Sequence, residues 1–381
     1  VNTFHRPDLA REYAESLLGV RRFGATSGLF LANRRRTGKS TFLLADLVPA
    51  LENLGAVAIY VDLWADQQAE PGALIAKAIA SAIRRHEGLG AKAVRAGLRK
   101  VTVLGVAVEV SSPQLPEQAT LTDLLAELHR TARRKIVLII DEAQQATAPG
   151  KGGMEAMAAL KSARDQLNLG GEYTLAIVMT GSDRDKLCRL VNSNQAPFYG
   201  SEINVMPTLG REYTDSLAAL IEEDRPDIQV DRDVLDEAFV MLGYRPQLLG
   251  QIIRDLTGLG RPPAERFNEE VEARATAQRL EREAHYQNTY TALKHAPRAV
   301  LSRILGGRGQ GMFTPDAKAE YRHIAGTLLT DNQIQNALEK MRALDSPLIW
   351  KSDRGDYALE DTQMRDWYLA RAAEGKWPPA A

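Results

Sequence analysis

The sequence predicts an α/β fold: an αβα sandwich on a five-stranded parallel core sheet, then a helical region, then three helices closed by a two-stranded hairpin. Three observations predict it. Short apolar runs alternate with helical patterns through the first half of the chain. Strand patterns stop after about Pro207, where amphipathic helical patterns take over. The pattern changes again at about Ala296, after a long charged stretch.

Gly28–Ala32 (GLFLA), Ala56–Asp62 (AVAIYVD), Lys135–Asp141 (KIVLIID), Thr174–Thr180 (TLAIVMT) and Glu202–Met206 (EINVM) read as the strands. Helical patterns cover Lys39–Ala50, Gly72–His86, Thr120–Ala132 and Met154–Asn168. Strands that are apolar on both faces and separated by helices belong to a parallel sheet covered on both sides. Val101–Val110 (VTVLGVAVEV) breaks the alternation and reads as an inserted strand or hairpin, closed by Pro113 and Pro116. Arg211–Glu223, Asp233–Leu242 and Pro246–Thr257 then form a small helical region, and Glu265–His295 a long charged helix. The final pattern is three helices, Pro297–Leu305, Ala317–Ala325 and Asp331–Leu344, then strands at Pro347–Trp350 and Tyr357–Glu360 around a turn at Ser352–Gly355. That is the element order of a winged helix. The expected domains are residues 1–208, 209–295 and 296–381.

The 381 residues suffice for two or three domains, and their 44% hydrophobic and 25% charged content is ordinary for a globular chain. A net charge of −1 gives no global field toward nucleic acid or an anionic membrane, so a nucleic-acid site has to be a local patch. The single Cys188 excludes an intrachain disulfide framework, and with it a reducing, cytoplasmic setting is expected. No apolar run is long enough to suggest a transmembrane helix, and no membrane partner is expected.

The run Asn33-Arg34-Arg35-Arg36-Thr37-Gly38-Lys39-Ser40-Thr41 follows the first strand and opens a helix. It fits the phosphate-binding pattern G-x-x-x-x-G-K-[ST], with Asn33 in place of the first glycine. Asn tolerates a positive φ better than other non-glycine residues, so the turn is still accessible. Gly38 lets the backbone approach the phosphates, and successive N–H groups at the helix start face the anion. Lys39 supplies a point charge to the β- and γ-phosphates, and the Ser40 hydroxyl is placed for Mg²⁺. Arg34, Arg35 and Arg36 lie in the loop, their side chains solvated or pinned to acidic partners rather than catalytic.

About a hundred residues later, Ile136–Ile140 ends in Asp141 and Glu142. Asp141 can hold Mg²⁺, and Glu142 can orient and deprotonate the attacking water. The third element is Thr180-Gly181-Ser182, at the end of a strand expected between the cradle and the carboxylate strand. Thr180 or Ser182 can contact the γ-phosphate or the lytic water; the spacing leaves both open. The bound ligands expected are ATP or ADP with Mg²⁺ on Ser40 and Asp141. The six histidines and the lone cysteine show no other metal spacing.

With these motifs the chain resembles the prokaryotic archaeal-type P-loop ATPases, of the STAND and AAA-related branch near the origin-recognition initiators. The matching pieces are RRRTGKST, IVLIIDEAQ, the strand-GS turn, Phe198–Gly200, GYRPQLL at Gly243–Leu249 and RGDYALEDTQMRDWYL at Arg354–Leu369. The resemblance implies an αβα nucleotide domain, a helical lid and a winged helix, with nucleotide between core and lid. It departs at Asn33, at Ser201, where the family usually has arginine, and at Arg245. Arg245 can act like the lid arginine that AAA proteins aim at the γ-phosphate, or it can cap or salt-bridge the helix that starts at Pro246. Phe4–Leu9 precedes the core by the right distance to touch adenine, and Arg184 or Arg189 can act as a finger in an oligomer.

The resemblance points to an ATP-hydrolysing switch that couples nucleotide state to domain rearrangement and to a protein partner or self-association. The alternative is a DNA-binding initiator or transposition-type regulator. The third winged-helix helix carries Asn332, Gln333, Gln335, Asn336, Lys340 and Arg342, and the hairpin offers Lys351 and Arg354. Glu339, Asp345, Asp353, Asp356, Glu360 and Asp361 interleave with them and weaken a phosphate-binding stripe.

Overall fold

The strands, in chain order, are β1 (Leu29–Ala32), β2 (Val57–Asp62), β3 (Arg99–Val103), β4 (Val106–Val110), β5 (Ile136–Asp141), β6 (Leu175–Gly181) and β7 (Ile203–Val205). Five of them make a parallel sheet ordered β2-β5-β6-β1-β7. The strand β6 thus lies between β1 and β5, as the sequence predicts. The computed structural model describes residues 3–21, 24–25, 28–33, 37–86, 99–110, 114–148, 150–169, 173–182, 187–188, 190–191, 196–258, 263–351 and 356–375. It divides into two compact units, Val1–Pro207 and Thr208–Ala381.

Alternation along the strands explains the first unit. Ile136, Leu138 and Ile140 of β5 face one apolar cluster with Ile75, Leu124 and Leu160. Val137 and Ile139 face the other with Ala10, Ala14, Leu43 and Leu47. The helices α1 (Pro7–Leu17), α2 (Lys39–Phe42) and α3 (Val48–Asn53) therefore cover one face of the sheet. The helices α4 (Pro71–His86), α5 (Leu121–Ala132) and α6 (Gly153–Leu167) cover the other. Both faces are dry, which is why the strands read as continuous apolar runs.

One detail differs from the sequence expectation, and another decides between two readings it offered. The helix expected over Lys39–Ala50 is not one regular helix: a π turn, Leu43–Leu47, joins α2 to α3. Pro49 sits at the start of α3, where its missing N–H and its ring demand a wider turn behind it. The Val101–Val110 insertion is an antiparallel hairpin whose Val101, Val103, Val108 and Val110 join the core beside α4. Its period-two valines face inward, so it extends the sandwich without entering the main sheet.

In the second unit, helices Arg211–Asp224, Arg232–Met241 and Pro246–Thr257 precede the long helix Phe267–Ala292. Helices His295–Leu305, Pro315–Ala325 and Asp331–Arg342 then lead to β8 (Ile349–Lys351) and β9 (Tyr357–Leu359), an antiparallel pair. The boundary expected at residue 296 falls inside this unit. Tyr286 and Tyr290 of the long helix share a core with Ile304, Leu338 and Ile349. The closing helix Thr362–Ala373 packs Trp367 on Tyr286 and Tyr368 on Tyr290, with ring centroids 5.9 and 5.8 Å apart. Trp367 and Tyr368 thus face the long connecting helix.

Two stretches of the family resemblance meet here. The Gln363 amide donates to the Val240 carbonyl at 3.3 Å and packs over Gly243, whose φ is +73°. A Cβ on Gly243 would lie 2.4 Å from Gln363 Oε1. Gly243→Ala adds backbone strain to that collision, and should destabilise this unit by about 1–2 kcal/mol. Urea denaturation of the full chain measures this; an unchanged midpoint would show that the contact is slack.

Candidate functional site

The carboxyl ends of three adjacent parallel strands bring the predicted residues together, the usual place for a ligand in an open α/β sheet. Ala32 of β1 is level with Gly181 of β6, and Asp62 of β2 with Asp141 of β5. The chain leaves β1 through Asn33, which is buried and donates its N–H to the Gly181 carbonyl at 3.1 Å. Asn33 is not among the described non-glycine residues with positive φ. The left-handed conformation open to Asn33 is therefore not used. Gly38 supplies it instead, with φ 85° immediately before α2.

Lys39 opens α2 and is 5% exposed. Its ammonium donates to Asp141 Oδ1, to Thr180 Oγ1 at 3.1 Å and to Glu142 Oε1 at 3.3 Å. Ser40 donates to Asp141 Oδ2 at 2.6 Å. Thr180 is fully buried and donates to Asp141 Oδ1. Ser182 donates instead to Glu142 Oε2 at 2.8 Å. The two residues that spacing could not separate thus serve different carboxylates. Thr37 is buried beside Gly38, and Thr41 is exposed on the first turn of α2. Arg34, Arg35, Arg36, Arg184, Arg189 and Arg354 lie outside the described residues.

Burial alone would raise the Asp141 carboxyl. The Lys39 ammonium and hydrogen bonds from Lys39, Ser40 and Thr180 outweigh it and hold the group below the usual carboxylate range. Asp141 is therefore an anion at neutral pH, as a cation ligand must be. Tyr60 also donates to Asp141 Oδ2, at 3.0 Å. Burial, then the Asp141 charge, push its phenol far above the ordinary value, so it stays a donor. Burial also raises the Asp62 carboxyl; the Trp64 N–H opposes this, and neighbouring Asp141 and Glu142 add to it.

Sequence reasoning missed Tyr60 and Gln144. Tyr60 is the one polar side chain inside an apolar strand run, and that was the available signal. The Ser40 hydroxyl and Asp141 carboxylate are adjacent hard oxygen donors at a helix start, which fits Mg²⁺ held by few protein ligands. Among the described residues no cluster of three or more His, Cys, Asp or Glu could hold a metal.

Arg245 precedes the helix Pro246–Thr257 and lies in the second unit, where its guanidinium is 3.5 Å from Asp361. Asp361 also caps the closing helix and accepts from Tyr286 at 2.6 Å. Arg245 thus pairs with the cap of the closing helix, and it makes no side-chain cap on the helix that starts at Pro246. Among the described residues no helix is long and apolar enough to cross a membrane.

The cradle, the carboxylate strand and the strand between them have the arrangement of a P-loop αβα fold. No family model matches the chain, and no curated protein matches it. Solved structures do. The Walker-type ATPase PABY2304 of Pyrococcus abyssi is 19% identical, with 96% of this chain and 95% of that one covered and a TM-score of 0.51. The ORC2 protein of Aeropyrum pernix, in its ADP form, is 16% identical over 99% and 97%, with a TM-score of 0.54. The fold is that of the archaeal Walker-type and origin-recognition ATPases.

Proposed function

We propose that this chain binds ATP with Mg²⁺ and hydrolyses it slowly, as a switch whose nucleotide state alters the arrangement of its two units. The observation that carries the reading is the convergence of Lys39, Asp141, Glu142 and Thr180 from three strand ends. Gly38 and the start of α2 would receive the phosphates, and Lys39 would exchange carboxylate partners for phosphate oxygens. Ser40 and Asp141 would hold Mg²⁺, which when bound offsets charge on the phosphate oxygens. Glu142 is 19% exposed in its side chain, enough to meet a water, and would take the water's proton. Thr180 keeps Asp141 and Lys39 in register, and Ser182 orients Glu142. Phe4–Leu9 remains the segment proposed for adenine.

The C-terminal region is read as a winged helix that contacts protein rather than DNA. On the helix Asp331–Arg342, Glu339 accepts from Gln335 at 2.9 Å and from Arg342 at 3.0 Å. Asp331 pairs with Lys318 at 2.8 Å. Two of the groups that would grip phosphates, Gln335 and Arg342, are thus already matched by one acid on the same helix. The test is turnover of ATP by the full chain with and without duplex DNA. The expectation is slow, Mg²⁺-dependent turnover unchanged by DNA, and DNA binding that is weak at physiological salt. A tight, salt-sensitive complex that raises turnover would establish the DNA-binding alternative instead.

A further inference from the structure

Gln144 lies two residues past Glu142, in the short 3-10 turn Ala143–Thr147, and is 2% exposed. Its Nε2 donates to Glu142 Oε2 and, at 3.1 Å, to Ser182 Oγ. Ser182 Oγ in turn donates to the same Glu142 oxygen at 2.8 Å. The three side chains form a closed ring of hydrogen bonds. The amide orientation follows from chemistry: an ionised carboxylate only accepts, so the NH₂ group has to face it. We infer that Gln144 is a positioning residue for Glu142. This deepens the hydrolytic reading and rests on it.

Two further observations support the assignment. Gln144 Oε1 is buried and has no donor among the described residues. An orphaned buried acceptor is destabilising, and a fold that keeps one keeps it for something other than stability. The second is Gly181. A Cβ there would lie 2.6 Å from Gln144 Oε1, and Gly181 is not among the glycines with positive φ. Glycine stands between Thr180 and Ser182 because the Gln144 amide occupies the space of a side chain.

The ring saturates Glu142 Oε2 with two donors. It leaves Oε1, on the Lys39 side at 3.3 Å, as the oxygen able to accept a proton. Gln144 thereby selects the working oxygen and stops the carboxylate from rotating. Glu142 remains the group that takes the proton; Gln144 acts only through it.

The test is Gln144→Met in the full chain, which keeps the volume and removes the donors. Steady-state kcat and KM for MgATP and equilibrium ATP affinity are measured, with the same substitution repeated in a Glu142→Gln background. The expected result is a kcat lowered by about tenfold or more, with KM and affinity within about threefold. In the Glu142→Gln background Gln144→Met should cost nothing further. Should Gln144→Met not fold, Ser182→Ala removes the other donor and should give the same split. A wild-type kcat in a folded variant overturns the inference, as does a raised kcat or a loss that persists without Glu142. If the wild type hydrolyses ATP and Glu142→Gln abolishes it while Gln144→Met is normal, only the positioning role falls. If the wild type does not turn over ATP, the hydrolytic reading falls and takes the inference with it.

Discussion

Replacing Lys39 by alanine abolishes ATP binding. The ammonium is almost fully buried and faces two carboxylates and a hydroxyl, so its charge acts in a poorly screened setting. A triphosphate brings several negative charges to the same place, and the lysine's share of offsetting them is then lost. The expected loss is about 3 kcal/mol or more, roughly a hundredfold in affinity. The substitution also strips Asp141 of its cation, so the variant's fold is checked by circular dichroism. Lys39→Arg keeps a charge opposite Asp141 and serves as a second variant; its planar fork does not replace a point charge, and binding should still fall. Unchanged ATP affinity in a folded Lys39→Ala protein would refute the cradle assignment.

Glu142→Gln keeps ATP binding and loses most turnover. The amide oxygen can still accept from Ser182 and Gln144, so the side chain keeps its place. What it cannot do is take a proton from water. General-base removal typically costs about 10²–10⁴ in rate, and affinity should stay within about threefold. Single-turnover hydrolysis alongside equilibrium binding separates the two effects. Normal turnover in this variant would make the carboxylate structural.

The sheet was legible because both its faces are dry. Leu29–Ala32, Ile136–Ile140 and Leu175–Met179 are apolar at every position, as a doubly covered parallel sheet demands. The site was legible where chemistry requires a fixed local spacing, as in Thr37–Thr41 and Asp141–Glu142. It was not legible where partners come from distant segments. Tyr60 and Gln144 carry no spacing rule, and only the register of β2 on β5 and the turn after β5 bring them to the carboxylates. The first helix, Pro7–Leu17, was missed although Ala10, Ala14 and Leu17 are spaced as one buried face behind an N-terminal proline. The closing helix Thr362–Ala373 was missed too, although Met364, Trp367 and Tyr368 stand at i, i+3 and i+4 on one buried face. The unit boundary at Pro207 follows the loss of strand patterns, whereas the one at residue 296 marks a change of composition inside a shared core.

Glu142 has φ +54° and ψ +40°, a left-handed conformation in which a side chain is strained by about 1 kcal/mol. Glycine or asparagine would relieve it, so the sequence best for folding and the sequence best for chemistry differ at this residue. Selection for thermal stability alone, in a directed-evolution library or in a lineage released from its task, would drift toward Glu142→Gly or Glu142→Asn. On the proposed function, the strained acid at this point is kept for turnover rather than for endurance.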